Sequence, residues 1–176
     1  MSKKRIGEHE ETLEKIAIDS NVFRNLNFIN YLRINKAEIQ VYIPSIVSFE
    51  IGYYFLTKGI TWEDFLKEIA KFNGTFLEWD SVILLEVLKN ALNNKETLPF
   101  RHHFRDFMIG TQCENTGFDL VSYNKNHFLW LKRISIQTPE EFILAEIPKS
   151  VKYLASIFVR CVGLLSQPRK TLSAVL

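Results

Sequence analysis

Five short apolar segments punctuate this chain, and each is separated from the next by a stretch with helical spacing. They lie at 16–19, 41–43, 75–79, 119–122 and 134–136. Segments this short that read as continuous apolar runs suit strands buried on both faces. Helices between them suit crossover connections, so the alternation predicts an α/β fold with a mostly parallel five-stranded sheet flanked by helices.

The turn chemistry places the helices. A partly apolar helix is expected at 23–32. Pro44 stops the second strand, and Ser45 is expected to cap a helix running to Lys58, with Gly59 at its C-terminal stop. Thr61-Trp62-Glu63-Asp64 reads as a capped start for a helix to about Phe72, and Asp80 as the cap of a helix at 81–93. Val82, Leu85, Leu88 and Leu92 would form the apolar face of that last helix. A further helix at 100–116 ends at Gly117, and Thr138-Pro139-Glu140-Glu141 supplies a cap, a proline at the first helical position and a glutamate at the third.

Length bounds the rest. With 176 residues, 47% hydrophobic and 24% charged, the chain suits one globular domain with a sizeable core. A polar segment at 1–14 is expected to be flexible, a domain at 15–147 to hold the fold, and 148–176 to form a helical extension. Net charge is only +2, so contact with nucleic acid would need a local basic patch. Cys113 and Cys161 have no metal-ligand or disulfide spacing, which points to a reducing, cytoplasmic setting. Four glutamates within 8–14 replace the apolar core of a signal peptide. The longest apolar stretch, 151–166, contains Lys152 and Arg160 and is too short for a membrane span, which takes about 20 residues.

Three acids sit where separate elements would bring them together: Asp19 at a strand end, Glu50 in the apolar run Ser45-Ile46-Val47-Ser48-Phe49-Glu50-Ile51, and Asp106 mid-helix. Each has a plainer explanation: a helix cap for Asp19, a buried salt bridge for Glu50, and a solvated pair with Arg101 or Arg105 for Asp106. Together they suggest a divalent cation, because clustered carboxylates otherwise repel one another. The resulting expectation is a Mg²⁺-dependent nuclease. A haloacid-dehalogenase-type phosphatase needs a second aspartate where this chain has Asn21, and a phospho-receiver needs an acidic pair at the first strand; neither is present. Gly110, costing about 1 kcal/mol in a helix interior, suggests a close backbone approach there.

Five stretches in order, Ile16-Ala17-Ile18-Asp19-Ser20-Asn21-Val22, Ile43-Pro44-Ser45-Ile46-Val47-Ser48-Phe49-Glu50-Ile51, Phe104-Arg105-Asp106-Phe107-Met108-Ile109-Gly110, the run from Gly117 to Phe128 and Ile136-Gln137-Thr138-Pro139-Glu140-Glu141-Phe142, resemble the PIN-domain nucleases, most of all their VapC-type toxin branch. The resemblance implies a PIN-like three-layer sandwich. It implies Mg²⁺ or Mn²⁺ held by Asp19 and Asp106, with Glu50 orienting water or completing the shell, and Ser20, Asn21, Ser122 and Asn126 in support. Where the family often carries a further acid this chain has Asn124, or alternatively Asn126, so a second metal would bind weakly. RNA is the implied substrate and a small antitoxin protein the implied partner.

Arg101, His102, His103 and Arg105, with Lys125, His127, Lys132 and Arg133, would border the cleft and contact phosphates. Adjacent histidines on a helix diverge, which argues against His102 and His103 as a ligand pair. Tyr53, Tyr54 and Trp62 suit core or interface better than base stacking. The excess apolar width of 151–165 suggests a homodimer or a contact with another partner, ahead of peripheral membrane association.

Overall fold

The computed structural model describes residues 13–146. The expected flexible segment (all but its last two residues), the helical extension and its dimer contact lie outside them. The sheet and the helices between its strands belong to a unit ending at Phe142, and residues from Ile143 onward to a second.

Five strands make one all-parallel sheet: β1 (Glu14–Ile18), β2 (Ile39–Ile43), β3 (Gly74–Phe76), β4 (Asp119–Val121) and β5 (Ile136–Gln137). Helices α1 (Leu26–Ile34), α2 (Ser45–Thr57), α3 (Trp62–Ala70), α4 (Ser81–Asn93), α5 (Phe100–Thr116) and α6 (Pro139–Glu146) complete a three-layer α/β sandwich. Ile16, Ala17 and Ile18 are fully buried, so successive side chains on both faces of β1 are covered. Strand order is β3-β2-β1-β4-β5. The chain therefore builds outward from β1 on one side, returns, and builds outward on the other. The reversal falls between β1 and β4, where Ile18 pairs with Val121. In open parallel sheets the crevice beyond the strands' carboxyl ends at such a reversal is where ligands bind.

Three local expectations are corrected. The helix expected at 23–32 is split: a 3-10 turn, Ser20–Arg24, precedes α1, because Asn25 caps α1 through its side chain on the Phe28 N–H. Ser45 does not cap α2; Pro44 holds the cap position without a side-chain hydrogen bond. Gln112 of α5 accepts from the Ser45 N–H at 2.9 Å, while its amide donates to Ser45 Oγ and the Glu78 carbonyl. One helix is thus capped by another.

The third correction concerns α4. Val82, Leu85, Leu88 and Leu92 are 62%, 53%, 46% and 68% exposed, and the helix buries Val87 and Ala91 instead, against Phe107 with Ile83 and Trp130 alongside. Glu86, Lys89, Asn90 and Asn93 share one polar stripe and the rest of the circumference is mostly apolar, wide enough for two apolar stripes to compete. Compact Val87 and Ala91 admit the closer approach to α5.

Replacing Gln112 with Leu should strand the Ser45 N–H and the Glu78 carbonyl inside the fold. The expected cost is about 2 kcal/mol, read as a lower urea midpoint at unchanged slope.

Candidate functional site

Asp19 stands immediately beyond β1 and caps the 3-10 turn that follows. It is buried, 3% exposed, and its oxygens are fully directed. Oδ1 accepts from the Ser20 N–H at 2.6 Å; Oδ2 accepts from Ser122 Oγ at 2.8 Å and Asn21 Nδ2 at 2.9 Å. Ser122, fully buried just past β4, also accepts from the Asn124 N–H at 3.0 Å. The ends of β1 and β4 are in this way tied through a carboxylate and a hydroxyl. Burial pushes the Asp19 carboxyl above its ordinary value; the Ser122 and Ser20 hydrogen bonds and the Arg105 charge pull it back, and the Asp106 charge adds to the upward push. Beneath it the buried Cys113 thiol is pushed far up, by burial first and by the Asp19 charge second, which leaves it inert.

Glu50 takes the salt-bridge alternative. Arg105 of α5 grips it with Nε on Oε1 and Nη2 on Oε2, the latter at 2.6 Å, and Nη2 also reaches Ser20 Oγ at 3.3 Å. The fork-on-fork pairing satisfies both carboxylate oxygens.

Asp106 is held by histidines rather than by Arg101 or Arg105. His103 Nδ1, one turn earlier on α5, lies 2.9 Å from Oδ2, and His127 Nδ1 lies 3.1 Å from the same oxygen. The two rings meet edge to face at 4.9 Å. The His127 contact is close but misaligned: its Nδ1 is buried and has no hydrogen bond. His127 sits on a 3-10 turn, Lys125–Phe128, fixed against α5 by Trp130. The Trp130 indole donates to the His127 carbonyl at 3.0 Å and packs on Phe107. Gly110 makes room for it, since a Cβ there would stand 2.6 Å from Trp130 Cζ2. The approach at this glycine is therefore made by side chains, of Trp130 and Leu131, and not by backbone as expected.

Among the described residues the three acids do not converge as one ligand set; His103, Asp106 and His127 do, with ligand atoms all within 4.8 Å of one another. Asp19 and Asp106 are near enough for their charges to oppose. As donors these two fit a hard cation, being carboxylates near each other at the sheet's crevice, whereas Glu50 is occupied by Arg105. Of the residues expected to support the site, Ser20, Asn21 and Ser122 surround Asp19, while the Asn124 and Asn126 side chains are exposed. Arg101 and His102 are exposed on the first turn of α5, and Lys125 is held by Glu141 at 2.8 Å.

Sequence reasoning did not find the His103–Asp106–His127 grouping. The spacing of three between His103 and Asp106 was a usable signal; His127 lies on another element and gave none. It also did not find the Asn25–Tyr123–Glu140 cluster, in which Asn25 Nδ2 donates to Tyr123 Oη at 2.7 Å and Tyr123 Oη donates to Glu140 at 2.8 Å. That cluster joins the start of α1, the end of β4 and the start of α6.

With its carboxyl pushed up from about 3.8, the folded chain binds the Asp19 proton more tightly than the unfolded chain does. Asp19 should therefore lower stability as pH rises through its folded value, by at most about 1.4 kcal/mol per pH unit within that window, and contribute a constant penalty above it. In EDTA, the stability of the native chain relative to Asp19→Asn should decline from pH 4 to pH 7, measured by urea unfolding. A difference independent of pH would mean that Asp19 titrates as it does when unfolded.

Neither a scan of protein-family models nor a search of curated proteins finds a match to this chain.

Proposed function

We propose that this chain is a metal-dependent endoribonuclease of the PIN type, acting as a toxin restrained by a small antitoxin protein. The observation that carries the reading is Asp19, a buried carboxylate at the reversal of an all-parallel sheet, with Asp106 close enough to feel its charge. A desolvated anion in the crevice where such sheets bind ligands is suited to meeting a cation there.

Asp19 and Asp106 would hold Mg²⁺ or Mn²⁺, which when bound supplies an activated water and neutralises charge on a scissile phosphate. The chain's own groups have definable parts. Ser122, Asn21 and the Ser20 N–H fix the Asp19 carboxylate in one orientation. Arg105, half-exposed and braced by Glu50, keeps Nη1 free of that pairing and available to a phosphate oxygen. Arg101 and His102 extend the basic surface along α5, and Lys125 could join it by exchanging Glu141 for a phosphate.

A specific observation favours a second reading, a catalytically weak module that binds RNA or protein. Glu50 is neutralised by Arg105, and Asn124 and Asn126 stand where the resembled family often has an acid. An RNA-processing nuclease without an antitoxin is the alternative within the enzyme class. The reading includes a homodimer, expected from the apolar width of 151–165, and a cytoplasmic setting, expected from the two unpaired cysteine positions. Among the described residues no helix is long and apolar enough to cross a membrane.

Purified chain should cleave structured RNA with Mg²⁺ or Mn²⁺ and stop in EDTA, and Asp19→Asn or Asp106→Asn should lower the rate by at least about 100-fold. RNA left intact by the native chain with either metal would turn the assignment to the binding module. In a separate binding titration, Arg105→Gln should weaken RNA affinity similarly across sequences and reduce the salt slope by about one. An unchanged slope would remove Arg105 from the phosphate contacts.

A further inference from the structure

We infer that His103, Asp106 and His127 form a binding site for a divalent transition ion of the zinc class. The inference shares Asp106 with the nuclease reading but does not rest on it: it enlists as ligands two histidines that reading does not use so, and its test contains no RNA.

The donor set is the first argument. Two imidazoles and one carboxylate make a three-ligand set that leaves a coordination position open, as in catalytic zinc and non-haem iron sites. Imidazole suits zinc, cobalt, nickel and iron(II); magnesium prefers oxygen and gives up its waters reluctantly. The cation class is thus set by nitrogen, not by charge alone.

Distance is the second. Two donors each about 2.1 Å from one ion stand roughly 3.0 to 3.4 Å apart, depending on the bond angle at the metal. Asp106 Oδ2 lies 2.9 Å from His103 Nδ1 and 3.1 Å from His127 Nδ1. All three ligand atoms fall within 4.8 Å of one another, a bound wider than about 3.4 Å, so the two rings would turn toward each other to share one ion.

The third argument is the His127 ring. Its Nδ1 is buried, faces Asp106 and makes no hydrogen bond. A buried nitrogen that makes no hydrogen bond is destabilising. The ring is nevertheless anchored, because its own carbonyl is clamped by the Trp130 indole and that indole is seated in the space left by Gly110. An ion would give the nitrogen its partner. Arg105, the nearest cation in sequence, is engaged by Glu50 and Ser20.

Co²⁺ is the probe, since it replaces zinc and reports its ligands in the visible spectrum. Titrating the full chain with Co²⁺ should produce a d–d band that saturates at one ion per chain, disappears on adding Zn²⁺ and persists in a large excess of Mg²⁺. His103→Gln and His127→Gln should each weaken Co²⁺ affinity by more than about 100-fold, more than loss of an outer partner typically costs, while Glu63→Gln, exposed on α3, keeps the band. Urea unfolding of each variant checks that it is folded; for one that is not, ¹⁵N shifts of the native chain's imidazoles on adding Zn²⁺ decide the same point. No saturable band in the native chain would overturn the site, as would a band that survives both histidine substitutions. Failure of RNA cleavage would leave this result untouched, and loss of the band would leave Mg²⁺-dependent cleavage open to its own test.

Discussion

A carboxylate kept out of water at the end of the central strand is the interaction on which the rest of the crevice depends. Asp19 would be costly to bury alone. Four donors meet it: the backbone N–H and the hydroxyl of Ser20, an amide from Asn21 and the hydroxyl of Ser122. Three belong to its own turn, but Ser122 comes from beyond β4. Compensating the charge therefore also fastens the two strands that flank the topological reversal. Whatever the crevice binds meets an anion whose orientation is fixed before the ligand arrives.

Helix α5 distributes the consequences. Successive turns of one stripe carry His103, Asp106, Gly110 and Cys113, which respectively meet His127, both histidines, Trp130 and the underside of Asp19. Arg105 and Gln112, seven residues apart and so on a common stripe, both face α2, the first braced on Glu50 and the second capping Ser45. A single helix thereby sets the charge on α2, the start of α2 and the placement of the histidine pair.

Much of this was legible in the residues, and what was not has a physical reason. The strand-end position of Asp19, the cap at Asp80 and the stop at Gly117 follow from local chemistry, and Gly117 does adopt the left-handed conformation, with φ of 73°. Glu50 could not be decided, since a carboxylate on an apolar face is equally well answered by a metal or an arginine. The His127 contact depends on how a turn folds back onto α5, which no local pattern encodes. The buried face of α4 was misjudged because leucine predominates on one stripe while smaller residues on the other pack closer. Hydrophobicity ranks the faces differently from shape.

The edges of the sheet carry a consequence for association. β3 has three residues and β5 only two. Edges that short offer few unpaired backbone groups, so they make poor templates for an added strand. The apolar residues exposed on α2 and α4, Phe49 and Tyr53 on one and Leu85 and Leu92 on the other, offer an associating protein more to grip than the sheet does. Specificity toward partners can then drift by substitution on helix surfaces without disturbing the hydrogen-bonded ladder that holds Asp19 in place.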